Sequence, residues 1–385
     1  MQSTAVRNDE SSPCAPDTVP FLESSTVESE DRSPRSVINN GDAREVSQRN
    51  APDNKDVDST HAATQPDKQL PKPYTADWSP YLVLVLSCLC VAAAGLGGNA
   101  VRLAMENCFV KYPFFAKFSY IPPNAVGSFV MGLSVTLLPP ESHLPLTYRA
   151  VCVGFCGSCT TFSTWMVKVM VQNSAGDAFE HLFLGAAMPI VFFLWGRDGG
   201  RALRCGCDAL LHCPWATWTA HRSVLRALDM TAVALLVVAA VLAPVLVQVY
   251  INRGRVRVIT TDDIRMVVFA PIGALLRFLL SFYLNKRDGV AQFPLGTLIA
   301  NLVAVVLSVI MFNMQVEHPW NVWFVIVQQG ISGALSTVSS LVNEIVGFYG
   351  NGRIAFTYLY VIVTVGVSIF IGGIGRPQMY RRTVN

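Results

Sequence analysis

Two segments of this chain carry the same unusual pattern. One reads Gly154-Phe155-Cys156-Gly157-Ser158-Cys159-Thr160-Thr161-Phe162-Ser163-Thr164-Trp165. The other reads Gly330-Ile331-Ser332-Gly333-Ala334-Leu335-Ser336-Thr337-Val338-Ser339-Ser340-Leu341. Both sit inside apolar sequence. Glycines and hydroxyls in succession break a helix, and a broken helix is tolerated in lipid only where protein or a water-filled cavity covers the freed backbone. The pattern predicts two broken membrane helices related by an internal duplication. Composition agrees: 52% of the residues are hydrophobic and 14% charged, the balance of a polytopic membrane protein. The net charge of +3 gives no sign of a nucleic-acid partner.

Apolar runs long enough to cross a bilayer recur near 81–105, 122–138, 149–171, 178–196, 228–251, 264–284, 294–314, 321–347 and 354–374. The repeat takes four on each side. Arg102 and Arg277 each follow a glycine by four residues (Gly98, Gly273) and lie 175 apart; Asn124 and Asn301 lie 177 apart; Gly154 and Gly330, like Thr160 and Ser336, lie 176 apart. Nearly one offset in three separate spans indicates duplication. The run near 228–251 has no counterpart and few polar residues, which suits a lipid-facing connector. Four spans plus one is odd, so the second half enters the membrane inverted, an arrangement that places transport sites at the midplane between halves.

The expected fold class is all-α: nine transmembrane helices, as two inverted four-helix repeats joined by a linker helix, with a broken third helix in each repeat. The expected divisions are 1–75, a disordered polar tail too poor in apolar groups to offset its ordering entropy; 76–196, the first repeat; 197–257, a loop and the linker helix; 258–376, the second repeat; and 377–385, a tail. The first 70 residues lack the apolar core of a signal peptide. Among the ten cysteines, Cys205, Cys207 and Cys213 with His212 come closest to metal-ligand spacing, with reduced loop thiols as the alternative.

Several of these motifs resemble one family. The stretch Gly154 to Trp165 is similar to the glycine–Thr-Thr-Phe-Ser-Thr-Phe signature of the CrcB or Fluc fluoride channels. Gly273-Ala274-Leu275-Leu276-Arg277-Phe278 resembles their first-span signature, and Gly296-Thr297-Leu298-Ile299-Ala300-Asn301 their second. The bacterial members are four-span antiparallel dimers. This chain resembles the eukaryotic fluoride exporters, in which two such units are fused, over about residues 80–375.

The resemblance implies a set of site residues. Asn124 and Asn301 would line the fluoride path as amide donors, with interhelical bonding as the alternative. Phe162 would meet the ion with its ring edge, the positive end of its quadrupole. Trp165 stands where the family has a second Phe; its N–H is open to donation, its bulk to packing. Ser163 lies between them. In the second copy Val338 and Leu341 replace the aromatics, implying a degenerate pore. Tyr360, Thr364 and Ser368 share one helical face and would supply a hydroxyl track, with bonding to the preceding turn as the alternative. The carbonyls of Gly157, Thr160, Gly333 and Ser336 would cage a structural Na⁺, oxygen ligands suiting a hard ion; close packing through small residues is the alternative. Arg102 and Arg277, placed at span ends, are open to snorkelling or to an anion-attracting vestibule, with Glu344 a further vestibule candidate.

The expected function is a fluoride-selective passive channel exporting the ion, with one working and one degenerate pore. It is not an enzyme. Its partners are fluoride and the lipid bilayer, with no nucleic acid and no obligate protein partner, so that it functions as a monomer. The expected site is the plasma membrane with a cytoplasmic N-terminus. The alternative is an ion-coupled small-solute carrier built on inverted repeats.

Overall fold

The computed structural model describes residues 75, 78–138, 144–211, 222–252, 260–285 and 293–383. The expected tail 1–75 therefore lies almost wholly outside the described residues, as do Cys213, His212 and positions 384–385 of the C-terminal tail. Among the described residues all regular structure is helical.

The first half comprises α1 (Pro80–Phe109), a short α2 (Pro113–Lys117), α3 (Ile121–Leu137), α4 (Pro145–Tyr148), a π-helical stretch Arg149–Cys156, α5 (Gly157–Cys159), α6 (Phe162–Met170) and α7 (Ala175–Leu211). A connecting helix, α8 (Arg222–Asn252), follows. The second half comprises α9 (Thr261–Leu284), α10 (Leu295–Glu317), α11 (Val322–Val325), a second π-helical stretch Ile326–Ser332, α12 (Gly333–Leu335), α13 (Ser339–Gly350) and α14 (Ile354–Thr383).

Local sequence explains several boundaries. Proline sits in the first turn of α1, α2, α3 and α4, where its missing N–H costs nothing. Thr260 and Asp263 cap α9 reciprocally: Asp263 N–H donates to Thr260 Oγ1 at 3.2 Å, and Thr260 N–H donates to Asp263 Oδ2 at 2.7 Å, satisfying two otherwise orphaned groups.

Eight described segments are long and apolar enough to cross a membrane, and α3, at 17 residues, is a shorter apolar helix. The spans expected near 149–171 and 321–347 are each interrupted. Each begins as an α-helix, widens into a π-helix and breaks in extended backbone. Thr160 has φ −91°, ψ 149°, and Ser336 has φ −84°, ψ 156°. π-helical stretches mark functional sites more often than ordinary turns do.

Packing repeats between the halves. α1 lies on the first π-helix and α9 on the second, and α1 and α9 touch each other. α3 packs on α7 as α10 packs on α14. The half-helix after each break touches both halves: α6 packs on α10 and α14 and on its own half's α7, and α13 packs on α3 and α7 and on its own half's α14. Glycine permits the closest of these approaches. A Cβ on Gly98 would overlap the Phe155 carbonyl oxygen, and one on Gly273 the Ile331 carbonyl oxygen.

The connector α8 is largely exposed along its described face, with one exception to the expectation of a purely apolar surface. Asp229 is buried, and its carboxylate accepts hydrogen bonds from the N–H groups of Leu146 (3.1 Å) and Thr147 (2.6 Å). It thereby pins the start of the first broken span. A carboxylate on a first-turn N–H pair also opposes the positive end of the helix dipole.

Candidate functional site: the paired helix breaks

At the centre of the molecule the two breaks meet, and each caps the other. Ser336 Oγ accepts from the N–H groups of Phe162 and Ser163, both at 3.1 Å. Thr160 Oγ1 accepts from the N–H groups of Val338 (3.2 Å) and Ser339 (3.1 Å). Thus the hydroxyl of each break satisfies free donors at the start of the other half's second half-helix. A helix N-terminus needs such partners, and here no water is required to supply them. The duplicated hydroxyls, read from sequence as a signature, act as caps exchanged between repeats.

The two asparagines hold the breaks from the sides. Asn124 Nδ2 donates to Thr161 O at 3.2 Å, and its Oδ1 accepts from Thr161 N–H at 2.8 Å. Asn301 does the same with Thr337, at 3.1 and 2.7 Å. Each is fully buried. Each amide nitrogen carries a second hydrogen beyond the one so used.

On the α6 side, Phe162 and Trp165 stand edge to face, with centroids 5.5 Å apart and an interplanar angle of 87°. The Trp165 indole N–H donates to His181 O at 2.8 Å, so the tryptophan donor is committed to the protein. Ser163 joins a hydroxyl cluster that sequence reasoning missed: Ser308 and Ser332 lie 2.6 Å apart, Ser332 is 3.4 Å from Ser163, and Ser336 is 3.1 Å from Ser163. Ser308 falls seven residues beyond Asn301, hence on the same helical face, a signal that the sequence did contain.

Thr364 donates to Tyr360 O and Ser368 to Thr364 O, both at 2.7 Å. Their hydroxyl protons are therefore turned to the preceding turn. Tyr360 OH donates to Glu344 Oε2 at 2.6 Å, and Thr297 Oγ1 donates to Glu344 Oε1 at 2.6 Å. Glu344 is thus tied between α10 and α14. At the second break Val338 and Leu341 are buried and aliphatic, on or beside α13, which packs on α3, α7 and α14.

The arginines correct the placement expected from sequence. Neither snorkels and neither stands at a mouth: Arg102 and Arg277 are 0% and 2% exposed. Each reaches into the break of the other half. The Arg277 guanidinium lies against Gly157 and that of Arg102 against Gly333, where a Cβ would overlap them. Arg277 Nη1 donates to Gly157 O (2.6 Å), Ala334 O (2.7 Å) and Ser336 O (3.2 Å), and Nη2 donates to Val153 O (2.7 Å). Arg102 Nη2 donates to Asn99 Oδ1 and Gln329 O. Glycine at 157 and 333 makes room for a side chain, a constraint invisible to a search along one segment.

The four expected cation ligands can be tested against this geometry. The carbonyls of Gly157 and Ser336 both already accept from Arg277. A monovalent cation on those oxygens would lie within about 5 Å of the guanidinium, where like charges repel by about 3 kcal/mol at an effective dielectric of 20. Two of the four expected ligand carbonyls are thus already engaged by a cationic side chain.

Cys205 and Cys207 are exposed near the end of α7, and no cluster of three metal-ligating side chains occurs among the described residues.

Fold and site together define a multi-pass helical membrane protein whose two broken helices lock at its centre. The chain belongs to the CrcB-like protein, Camphor Resistance (CrcB) family, whose profile matches residues 89–197 and 264–376, more than half of its length. It is similar to fluoride export protein 1 of Candida albicans, 27% identical over 265 residues, covering 61% of this chain and 63% of that protein. It is similar to the same-named protein of Neurospora crassa, 26% identical over 276 residues, covering 62% and 51%. It is also similar to the fluoride-specific ion channel FluC of Shewanella halifaxensis, 33% identical over 112 residues, covering 29% of this chain and 90% of the channel. The chain thus spans 63% and 51% of the lengths of its two fungal relatives. No solved structure matches significantly.

Proposed function

We propose that this protein is a fluoride-selective channel that lets the ion leave the cytoplasm passively, through one pore. The observation that supports this reading is that α6, which begins at Phe162, packs on α10 and α14, the helices that carry Asn301, Thr364 and Ser368. In this reading the Phe162 ring edge and the second-half polar groups line one path, while the Trp165 N–H turns to His181 O on α7. Val338 and Leu341, at the corresponding positions of the second break, carry no ring edge.

Fluoride is small and strongly hydrated, so passage requires donors that replace its water. The second amide hydrogen of Asn301, the Phe162 ring edge and the hydroxyls of Thr364 and Ser368 are the candidates. Each hydroxyl reaches the ion by rotating about its C–O bond away from the carbonyl four residues back. The buried guanidinium charges of Arg102 and Arg277 offset the cost of an anion near the bilayer centre. A negative-inside potential drives the ion outward with about 2.3 kcal/mol per 100 mV.

In this reading the chain is nine spans in two inverted repeats, functions as a monomer, and sits in the plasma membrane with a cytoplasmic N-terminus. The fungal exporters and bacterial channels it is similar to support fluoride as the ion; no relative named here supports a coupled carrier. The test is efflux from proteoliposomes loaded with potassium fluoride, followed with a fluoride electrode on adding valinomycin. Fast, pH-independent, chloride-excluding efflux is expected; saturable proton-driven flux would overturn the proposal.

A further inference from the structure

The two arginines are not equivalent. Arg102 donates within its own helix and to one carbonyl of the second π-helix. Arg277 donates to four carbonyls, two from each half: Val153 and Gly157 from the first, Ala334 and Ser336 from the second. One planar group therefore bridges both broken helices at the point where their carbonyls converge. The N–H groups that would serve the Gly157, Ala334 and Ser336 carbonyls in an unbroken helix, those of Thr161, Val338 and Ser340, donate to side chains instead, and buried carbonyls need donors. A guanidinium carries five N–H donors in fixed directions and a charge that persists on burial.

The counterpart of Asn99, one offset later, is Ala274. Asn99 takes up one donor of Arg102 and itself donates to Met266 O at 3.1 Å, whereas Ala274 offers Arg277 nothing. Arg277 is thus left to the breaks. Gly157 completes the arrangement, because any side chain there would displace the guanidinium.

We propose that Arg277 serves as the built-in central cation of this protein, so that assembly of the two breaks does not depend on a bound sodium ion. The guanidinium cross-links the halves, satisfies the Gly157, Ala334 and Ser336 carbonyls and supplies a fixed positive charge. This rests on the placement of the breaks and not on fluoride conduction, so it survives or fails separately from the proposed function.

The test is thermal unfolding of the purified full chain, in sodium chloride and in N-methyl-D-glucamine chloride at equal ionic strength. A ligand held at a hundred times its Kd raises the folded-to-unfolded ratio about a hundredfold. The wild-type midpoint is expected to be the same in both salts. A sodium-dependent rise, with saturable sodium binding, would overturn the proposal. Arg277→Gln empties the Gly157 and Ser336 carbonyls, so that variant is expected to melt lower in N-methyl-D-glucamine and to regain stability with added sodium. A folded Arg277→Gln protein indifferent to sodium contradicts the claim that the guanidinium stands in the cation's place. Arg102→Gln, which leaves those carbonyls occupied, is expected to gain no sodium response. If Arg277→Gln does not fold, the wild-type comparison alone decides.

Discussion

The exchanged caps make a quantitative prediction. Thr160→Val keeps the side-chain shape and replaces Oγ1 with a methyl group. In the native protein that oxygen accepts from the N–H groups of Val338 and Ser339 at 3.2 and 3.1 Å and donates to Cys156 O at 3.0 Å. The Cys156 carbonyl also accepts from Thr160 N–H, so it keeps a partner. The two amides at the start of α13 do not: Ser339 Oγ and Thr337 Oγ1 are near but belong to the same turn. Side-chain hydrogen bonds between membrane helices average about 0.6 kcal/mol, which sets a floor of about 1 kcal/mol for two. Leaving a buried donor unpaired costs about 1–3 kcal/mol. The expected loss is about 2–4 kcal/mol, or about 30- to 700-fold in the folding equilibrium. Unfolding in mixed micelles with rising denaturing detergent measures it. Thr160→Ser restores the oxygen and should fall within about 0.5 kcal/mol of wild type, the range of a substitution that removes no named interaction. A Thr160→Val protein as stable as Thr160→Ser would refute the exchange of caps between repeats.

Three further outcomes follow from the packing. Gly98→Ala and Gly273→Ala should each destabilise by at least about 1–3 kcal/mol, the cost of overpacking, because the new Cβ meets backbone oxygen; loss of the monodisperse peak in gel filtration checks this. Asp229→Ala should speed amide exchange at Leu146 and Thr147 and cost about 1 kcal/mol as a lost cap, with α8 still formed. Lys117, exposed and paired with Asp177 at 2.9 Å and Glu180 at 2.6 Å, is held above its ordinary value by those hydrogen bonds. A raised folded-state value gives a contribution complete below the unfolded lysine value and lost only as pH rises through the folded one. Lys117→Met should therefore shift the melting midpoint equally at pH 6 and pH 8, near ordinary histidine and amine values but below that of lysine.

Much of this was legible because duplication converts isolated residues into pairs. Asn124 and Asn301, or Thr160 and Ser336, gain meaning only through their common offset, and the structure gives each pair matching partners. What stayed hidden is three-dimensional. No linear pattern says that the glycine of one break houses the arginine of the other half, so Arg102 and Arg277 look like interfacial residues when they are central. The Ser308–Ser332 contact links two spans, and Asp229 gains a role only once its helix is docked against α4. Hydroxyl directions were also unreadable: the i to i−4 spacing of Thr364 and Ser368 permits a pore-facing track and a backbone bond alike.

The central claim is that one side of the paired breaks conducts. Its most direct test compares fluoride efflux per molecule in proteoliposomes of Phe162→Ile and Val338→Ala, with folding checked by gel filtration. Loss of the ring edge should slow efflux at least about tenfold, the effect of about 1.4 kcal/mol at the barrier. Val338→Ala should remain close to the wild-type rate. Equal slowing in both variants, or slowing only in Val338→Ala, would contradict the account.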